Sequence, residues 1–310
     1  MNSTAIRTTN LTKQYDNQTA VNQVNLEVKQ GCIYGLLGRN GAGKTTIMKM
    51  MMGLVKPSSG EIEILGERIG ASTKERKRLY SRIGAIIETP GFYPNLTGTE
   101  NMDIFAKLRG TVSRNAVKEA LDIVGLPYKD KKLFANYSLG MKQRLGIANA
   151  IMHDPELLIL DEPTNGLDPI GIAEMRDLIK NMSTLTGKTI FISSHILSEI
   201  ALLADDIGII HNGILLTESS YAELEKNNSR YFLLKVSSSA QAARILEQQL
   251  GLFHYSVDDD FTIRLFDTKA DIAQVNKALM LSNIDVNTSQ LCNDTLEDYF
   301  RKITGGEGIA

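Results

Sequence analysis

Between Gly38 and Thr46 the chain reads Gly38-Arg39-Asn40-Gly41-Ala42-Gly43-Lys44-Thr45-Thr46, and no other stretch restricts its fold as strongly. The apolar run Ile33-Tyr34-Gly35-Leu36-Leu37 before it predicts a short buried strand, and Ile47 to Met52 after it predicts a helix. In such a turn the backbone N–H groups can converge on an anion, because Gly38, Gly41 and Gly43 admit φ values closed to other residues. The helix N-terminus behind the turn adds unpaired N–H groups and partial positive charge. Lys44 is then placed to reach β- and γ-phosphates and the Thr45 hydroxyl to ligate Mg²⁺, with Asn40 and Thr46 counted among the nucleotide-contacting residues. An α/β protein that binds and hydrolyses a nucleoside triphosphate is expected.

The 310 residues exceed what one core usually serves, so two domains are expected. A net charge of -2 argues against a general nucleic-acid binder, which is usually basic. No apolar run approaches the length of a membrane span, and the N-terminus has no hydrophobic signal core; both place the chain in the cytosol. Cys32 and Cys292 are isolated and are read as reduced thiols without a metal role. His153, His195, His211 and His254 are too scattered for a metal cluster.

In chain order, residues 6 to 30 alternate as half-buried antiparallel strands with a turn at Asp16-Asn17-Gln18. Tyr15, before that turn, is either a packing residue or a flat platform for a base. A strand over Glu61 to Gly66, a basic helical stretch from Lys74 to Arg82 and a buried strand Ile83 to Ile87 follow. That last strand ends in Glu88-Thr89-Pro90. A helical region runs from about Gly98 to Leu126. Ser138 fits the N-cap of a helix reaching about His153, which would make a second anion site if its end is exposed.

Leu157-Leu158-Ile159-Leu160 is the most apolar strand candidate, and it ends in Asp161-Glu162-Pro163. Two carboxylates at the C-terminal edge of a sheet suit a triphosphatase: Asp161 to hold Mg²⁺, and Glu162 to orient and deprotonate the attacking water. Asp168 lies in the loop before a helix from Ile172 to Leu185. His195 ends the buried strand Thr189 to Ser194, where its imidazole could donate to a γ-phosphate oxygen. Residues 207 to 216 read as a hairpin with an Asn-Gly turn. After a polar boundary at 220 to 230, the order βαββαβ with an added helix at 295–303 matches a small ferredoxin-like unit.

Taken in order, these motifs resemble the nucleotide-binding subunit of an ATP-binding cassette (ABC) transporter over roughly residues 6 to 222. The resemblance implies a P-loop core of RecA type with an antiparallel β subdomain and a helical subdomain, spanning 1–222, followed by an accessory α+β domain over 229–310. It implies ATP and Mg²⁺ as cofactors, with Tyr15 stacking on adenine and Ser138 and Gly140 belonging to a signature segment that clamps ATP from a partner chain. It assigns Asp168 to the loop that crosses the dimer interface and His195 to the switch histidine. Glu88 stands where the family has glutamine between the magnesium site and the membrane subunit; an ionised glutamate only accepts hydrogen bonds and adds negative charge near Mg²⁺, so Glu88 is expected to join Thr45 and Asp161 in contacting the metal. The signature is Tyr137-Ser138-Leu139-Gly140-Met141 instead of Leu-Ser-Gly-Gly-Gln, which keeps the hydroxyl and the close backbone approach but adds the bulk of Leu139.

The tail Leu296-Glu297-Asp298-Tyr299-Phe300 resembles the extension of bacitracin- and lantibiotic-resistance subunits, and Glu88 is similar to the glutamate of the lantibiotic-immunity branch. The implied assembly is a head-to-tail homodimer at the cytoplasmic face of the membrane, driving a polytopic permease, with no nucleic-acid partner. The rival readings are a soluble cassette ATPase on ribosomes or DNA, a small-molecule kinase, or a transporter subunit for another drug or ion. Tandem-cassette translation factors would need a second phosphate loop, and repair-type members a coiled coil between Lys44 and Ser138; neither is present. A kinase would leave Ser138 to Gly140 and Asp161-Glu162 unexplained together.

Overall fold

The computed structural model describes residues 3–69, 73–88, 91–110, 113, 115–221, 223, 230–293 and 298. The contacts separate two compact units, the first ending at Ala222 and the second beginning at Glu223.

The first unit begins with β1 (Thr4–Tyr15), β2 (Gln18–Val24) and β3 (Glu27–Lys29), then β4 (Ile33–Leu37), α1 (Lys44–Met51), β5 (Ser59–Ile64) and β6 (Glu67–Arg68). All but β4 and α1 form an antiparallel sheet in the order β2-β1-β5-β6, with β3 also paired to β1. Asp16 closes the β1–β2 turn at φ +44°, a conformation Asp and Asn tolerate best among side-chain-bearing residues. There follow α2 (Thr73–Tyr80), β7 (Ile83–Ile86), α3 (Gly98–Arg109), α4 (Ala116–Ile123), α5 (Leu139–Ile151), β8 (Leu157–Asp161), α6 (Pro169–Thr186), β9 (Thr189–Ser194), α7 (Leu197–Ala201), β10 (Asp206–His211) and β11 (Ile214–Ser220).

The central sheet runs β11-β10-β4-β9-β8-β7, with every pair parallel except the edge hairpin β10–β11. Parallel strands bury both faces, so they read as unbroken apolar runs. All five residues of β4 and all six of β9 are buried, as are Leu157 to Leu160 of β8. Fully burying each such aliphatic side chain contributes about 1.5–3 kcal/mol, and Tyr34 on β4 stacks on Phe191 of β9 at 5.4 Å.

The helical region expected from Gly98 to Leu126 is two helices. A capping box starts α3: Glu100 N–H donates to Thr97 Oγ1 at 3.2 Å, and Thr97 N–H donates back to Glu100 Oε2 at 2.8 Å. Gly110, in the left-handed region at φ +72°, ends it by a C-cap that sequence periodicity passed over.

The second unit holds β12 (Arg230–Val236), α8 (Ser239–Gln248), β13 (Tyr255–Asp259), β14 (Thr262–Leu265), α9 (Ile272–Leu281) and β15 (Val286–Asn293). Its antiparallel sheet is ordered β13-β14-β12-β15, the βαββαβ arrangement expected. Leu234, Val236, Ile263 and Leu265 pack against Ala242, Leu246, Val275 and Leu279 of the two helices. Arg264 binds Asp258 at 2.5 Å and Asp298 at 3.0 Å, tying the tail to this sheet. Apart from Asp298, the helix expected at 295–303 lies outside the described residues.

Helix α5 approaches β7 closely at Gly84, where a Cβ would stand 2.2 Å from the Ala150 carbonyl oxygen. Gly84→Ala is expected to destabilise the first unit by about 1–3 kcal/mol through overpacking, read as a lower urea midpoint. An unchanged midpoint would mean that α5 can retreat at no cost.

Candidate functional site

The carboxyl ends of β4, β8 and β9 meet at one edge of the central sheet, where open α/β sheets bind ligands. Register does the positioning: Leu37 pairs with Ser194, and Asp161 with Ser193.

The Gly-rich loop leaves β4 at Gly38. Gly41 and Gly43 take φ of +83° and +109°, as expected of residues that turn N–H groups inward. Gly38 does not have a positive φ; it is glycine for space. A Cβ there would stand 2.4 Å from the Ile210 carbonyl oxygen, which corrects the conformational reason given for it above. The Asn212-Gly213 turn between β10 and β11, at φ +47° and +79°, closes over the loop: Gly213 N–H donates to Ala42 O at 3.0 Å, and Asn22 N–H donates to Gly213 O at 2.8 Å. Together they line a cavity of about 290 Å³ that includes Asn40, Gly41, Gly43, Lys44, Thr45, Thr46 and Glu162, with Gln18 to Ala20 on one wall.

Around Lys44, Thr45 and Glu162, which line this cavity, the polar and charged groups are interlocked. Lys44, only 5% exposed, donates to the carbonyls of Gly38 (2.6 Å) and Arg39 (3.1 Å) and lies 3.1 Å from Glu162 Oε1. The other Glu162 oxygen, Oε2, stands 2.5 Å from His195 Nδ1. Glu162 has φ +46°, a disfavoured conformation for a side-chain-bearing residue, of the kind that clusters at functional sites. Its N–H donates to Ser193 Oγ at 3.0 Å, and the Ser193 hydroxyl donates to Asp161 Oδ1 at 2.6 Å. Asp161 Oδ2 accepts from Thr45 Oγ1 at 2.8 Å. Lys44, Thr45, Asp161, Glu162 and His195, far apart in sequence, thus form one connected cluster.

Sequence reasoning missed Ser193, whose hydroxyl links both carboxylate residues. Its only trace was a polar Ser-Ser end to an otherwise apolar strand. The wall at Gln18 to Ala20 and at Asn212-Gly213 was read only as turn and strand residues, and local chemistry does not say what such a segment folds over.

The remaining predicted residues lie elsewhere. Ser138 caps α5, accepting from Met141 N–H at 3.3 Å, and Asp168 caps α6, accepting from Gly171 N–H at 3.0 Å. These caps are neighbours, since Leu139 and Gly140 pack against Gly166 and Leu167; Leu139 is 46% exposed. Ser138, Gly140 and Asp168 do not line the cavity. Neither does Tyr15, which ends β1 half-exposed with the Lys13 ammonium 4.7 Å from its ring centre. Glu88 forms an ion pair with Lys49 of α1 at 2.6 Å. Among the described residues no helix is long and apolar enough to cross a membrane.

Oxygen donors of the hard type suit Mg²⁺, and Thr45 Oγ1 with Asp161 Oδ2 supply two of them side by side. The loop N–H groups and Lys44 suit phosphate.

Comparison with known proteins agrees with this chemistry. Residues 21–165 match the family described as ABC transporter. The chain is 52% identical to the bacitracin transport ATP-binding protein BcrA of Enterococcus faecalis over 306 residues, 98% of each chain. It is 47% identical to the lantibiotic transport ATP-binding protein SrtF of Streptococcus pyogenes over 212 residues, 68% of this chain and 89% of that one. Among solved structures, the dimeric ATP-binding cassette MJ0796 bound to ADP and Pi superposes with a TM-score of 0.63 at 25% identity, over 70% of this chain and 98% of that one. The chain therefore belongs to the ABC transporter family, as an ATP-binding and ATP-hydrolysing subunit.

Proposed function

We propose that this ATPase works at the cytoplasmic face of the membrane and powers a separate polytopic permease that exports an antimicrobial peptide of bacitracin or lantibiotic type. The observation that carries the reading is the full-length correspondence with a bacitracin transport ATP-binding protein, which takes in the C-terminal unit as well as the nucleotide-binding part. The lantibiotic relative matches over a shorter stretch, so a bacitracin-type cargo is favoured. In this reading residues 1–222 bind nucleotide and residues 229–310 are an accessory domain.

Two chains pair head to tail, each ATP held between Lys44 of one protomer and Ser138 of the partner subunit. Support comes from the position of Ser138 at the N-terminus of a 13-residue helix, outside its own chain's cavity and beside the Asp168 loop. Tyr15 offers the adenine its exposed ring. Thr45 and Asp161 would hold Mg²⁺, which supplies charge neutralisation at the β- and γ-phosphates. Glu162 accepts the proton of the attacking water, and its backbone at φ +46° together with its neighbours Lys44 and His195 aims the carboxylate. Lys44, His195 and the loop N–H groups stabilise charge on the transferred phosphoryl group. Closure and reopening of the dimer pass to the permease as mechanical work.

Glu162→Gln is expected to lower ATP turnover at least about 100-fold, the usual contribution of a general base, while ATP-dependent dimerisation persists in size-exclusion chromatography. Wild-type turnover in that variant would remove Glu162 from its role. Ser193→Ala, which frees both Asp161 and the Glu162 N–H, should lower kcat/KM roughly tenfold, the worth of one hydrogen bond to a charged group, with the fold retained by circular dichroism. A pull-down of the tagged Glu162→Gln chain from native membranes with Mg²⁺ and ATP is expected to recover a polytopic membrane protein, and cells carrying that pair should lose bacitracin tolerance when Glu162 is replaced. Recovery of ribosomes or DNA-bound proteins would overturn the transport reading and leave the ATPase standing.

A further inference from the structure

Thr45 and Lys49 occupy positions i and i+4 of α1 and share a face, with Cβ atoms about 5–6 Å apart. Thr45 donates to Asp161 at 2.8 Å, and one turn further on Lys49 Nζ donates to Glu88 Oε1 at 2.6 Å. The two carboxylates are thus held side by side along one helix, one on a hydroxyl and the other on an ammonium. Glu88 follows β7 with φ +64°, a region that favours glycine, and its side chain is 64% exposed; among the described residues Lys49 is the partner that holds it. The hydrogen bond to Glu88 holds the Lys49 ammonium above the usual lysine range, and the Glu88 and Asp161 charges add to it. Lys49 therefore feels both carboxylates.

We propose that Lys49 is a positioning residue for Glu88: as its counterion it keeps the carboxylate on the second turn of α1 and away from the divalent cation taken by Thr45 and Asp161. A glutamine in place of Glu88 would need no such partner. An ionised glutamate would, because Asp161 and Glu162 already concentrate negative charge at this edge, and a third carboxylate one helical turn away is a ready additional cation ligand. Lys49 offsets that charge and fixes the side chain. The proposal rests on the nucleotide–magnesium reading of the site above.

An exposed ion pair is a weak restraint, so its removal should shift cation affinity by roughly threefold to fivefold. The experiment uses the full chain with a non-hydrolysable ATP analogue and Mn²⁺ as the probe, free Mn²⁺ being read by electron paramagnetic resonance. Lys49→Met should bind Mn²⁺ more tightly than wild type by that factor, Lys49→Arg should bind as wild type, and Lys49→Met in a Glu88→Gln background should differ from Glu88→Gln alone by less than about twofold. Thermal melting without cation reports whether each variant is folded, and Lys49→Gln serves if the methionine variant is not. Unchanged affinity in Lys49→Met, or equal tightening in the Glu88→Gln background, overturns the proposal; the second result would mean that a positive charge had merely been lost near the cation. If Mn²⁺ binding by the wild-type chain does not depend on the nucleotide analogue at all, it is the nucleotide–magnesium reading that fails.

Discussion

Parallel backbone pairing among β4, β9 and β8 is the constraint on which the rest of the molecule depends. It sets Leu37 beside Ser194 and Ser193 beside Asp161, so three strands end level and deliver their last residues to one edge. A slip of one residue in any of them would turn its side chains to the opposite face. Close packing on both faces opposes that slip, since every residue of β4 and β9 is buried and side chains of different shape would have to exchange places. The chemistry at the edge is thus positioned by packing many residues away from it.

At that edge the difficulty is charge. Lys44 is almost fully buried, and a buried ammonium without partners would be expensive. Two loop carbonyls and Glu162 supply the partners, while Glu162 in turn reaches His195. Removing one member of such a network leaves the others desolvated and unpaired, so the site behaves as a unit and single substitutions in it are not additive. Asp161 is held in the same way by two hydroxyls, Thr45 and Ser193, the second of which also accepts from the Glu162 N–H. Leu139 and Glu88 fall outside this network: Leu139 follows the cap of α5, and Glu88 pairs with Lys49.

The C-terminal unit contrasts with this. Its alternation of strand and helix patterns was legible, and the sheet order β13-β14-β12-β15 agrees with it. Its core is an ordinary aliphatic one between the sheet and two helices. Polar interactions gather instead at Arg264, whose guanidinium bridges Asp258 of β13 and Asp298 of the tail and lies 5.0 Å from the Tyr231 ring centre.

The sequence by itself determined the elements and the chemistry that local spacing can carry. The phosphate loop, the Asp161-Glu162 pair at a strand end, the caps at Ser138 and Asp168 and the Asn-Gly hairpin each depend on residues within one turn or one strand of each other. Only the tertiary structure decided which of them meet. Ser193 joining Asp161 to Glu162, Lys44 reaching Glu162, Gly38 yielding to the Ile210 carbonyl and Lys49 holding Glu88 all link residues 31 to 172 positions apart in the chain and on different elements. Strand order and register create those contacts. A side chain's partner across a sheet leaves no periodic trace in its own neighbourhood, which is why the loop could be read from nine residues and the network around it could not.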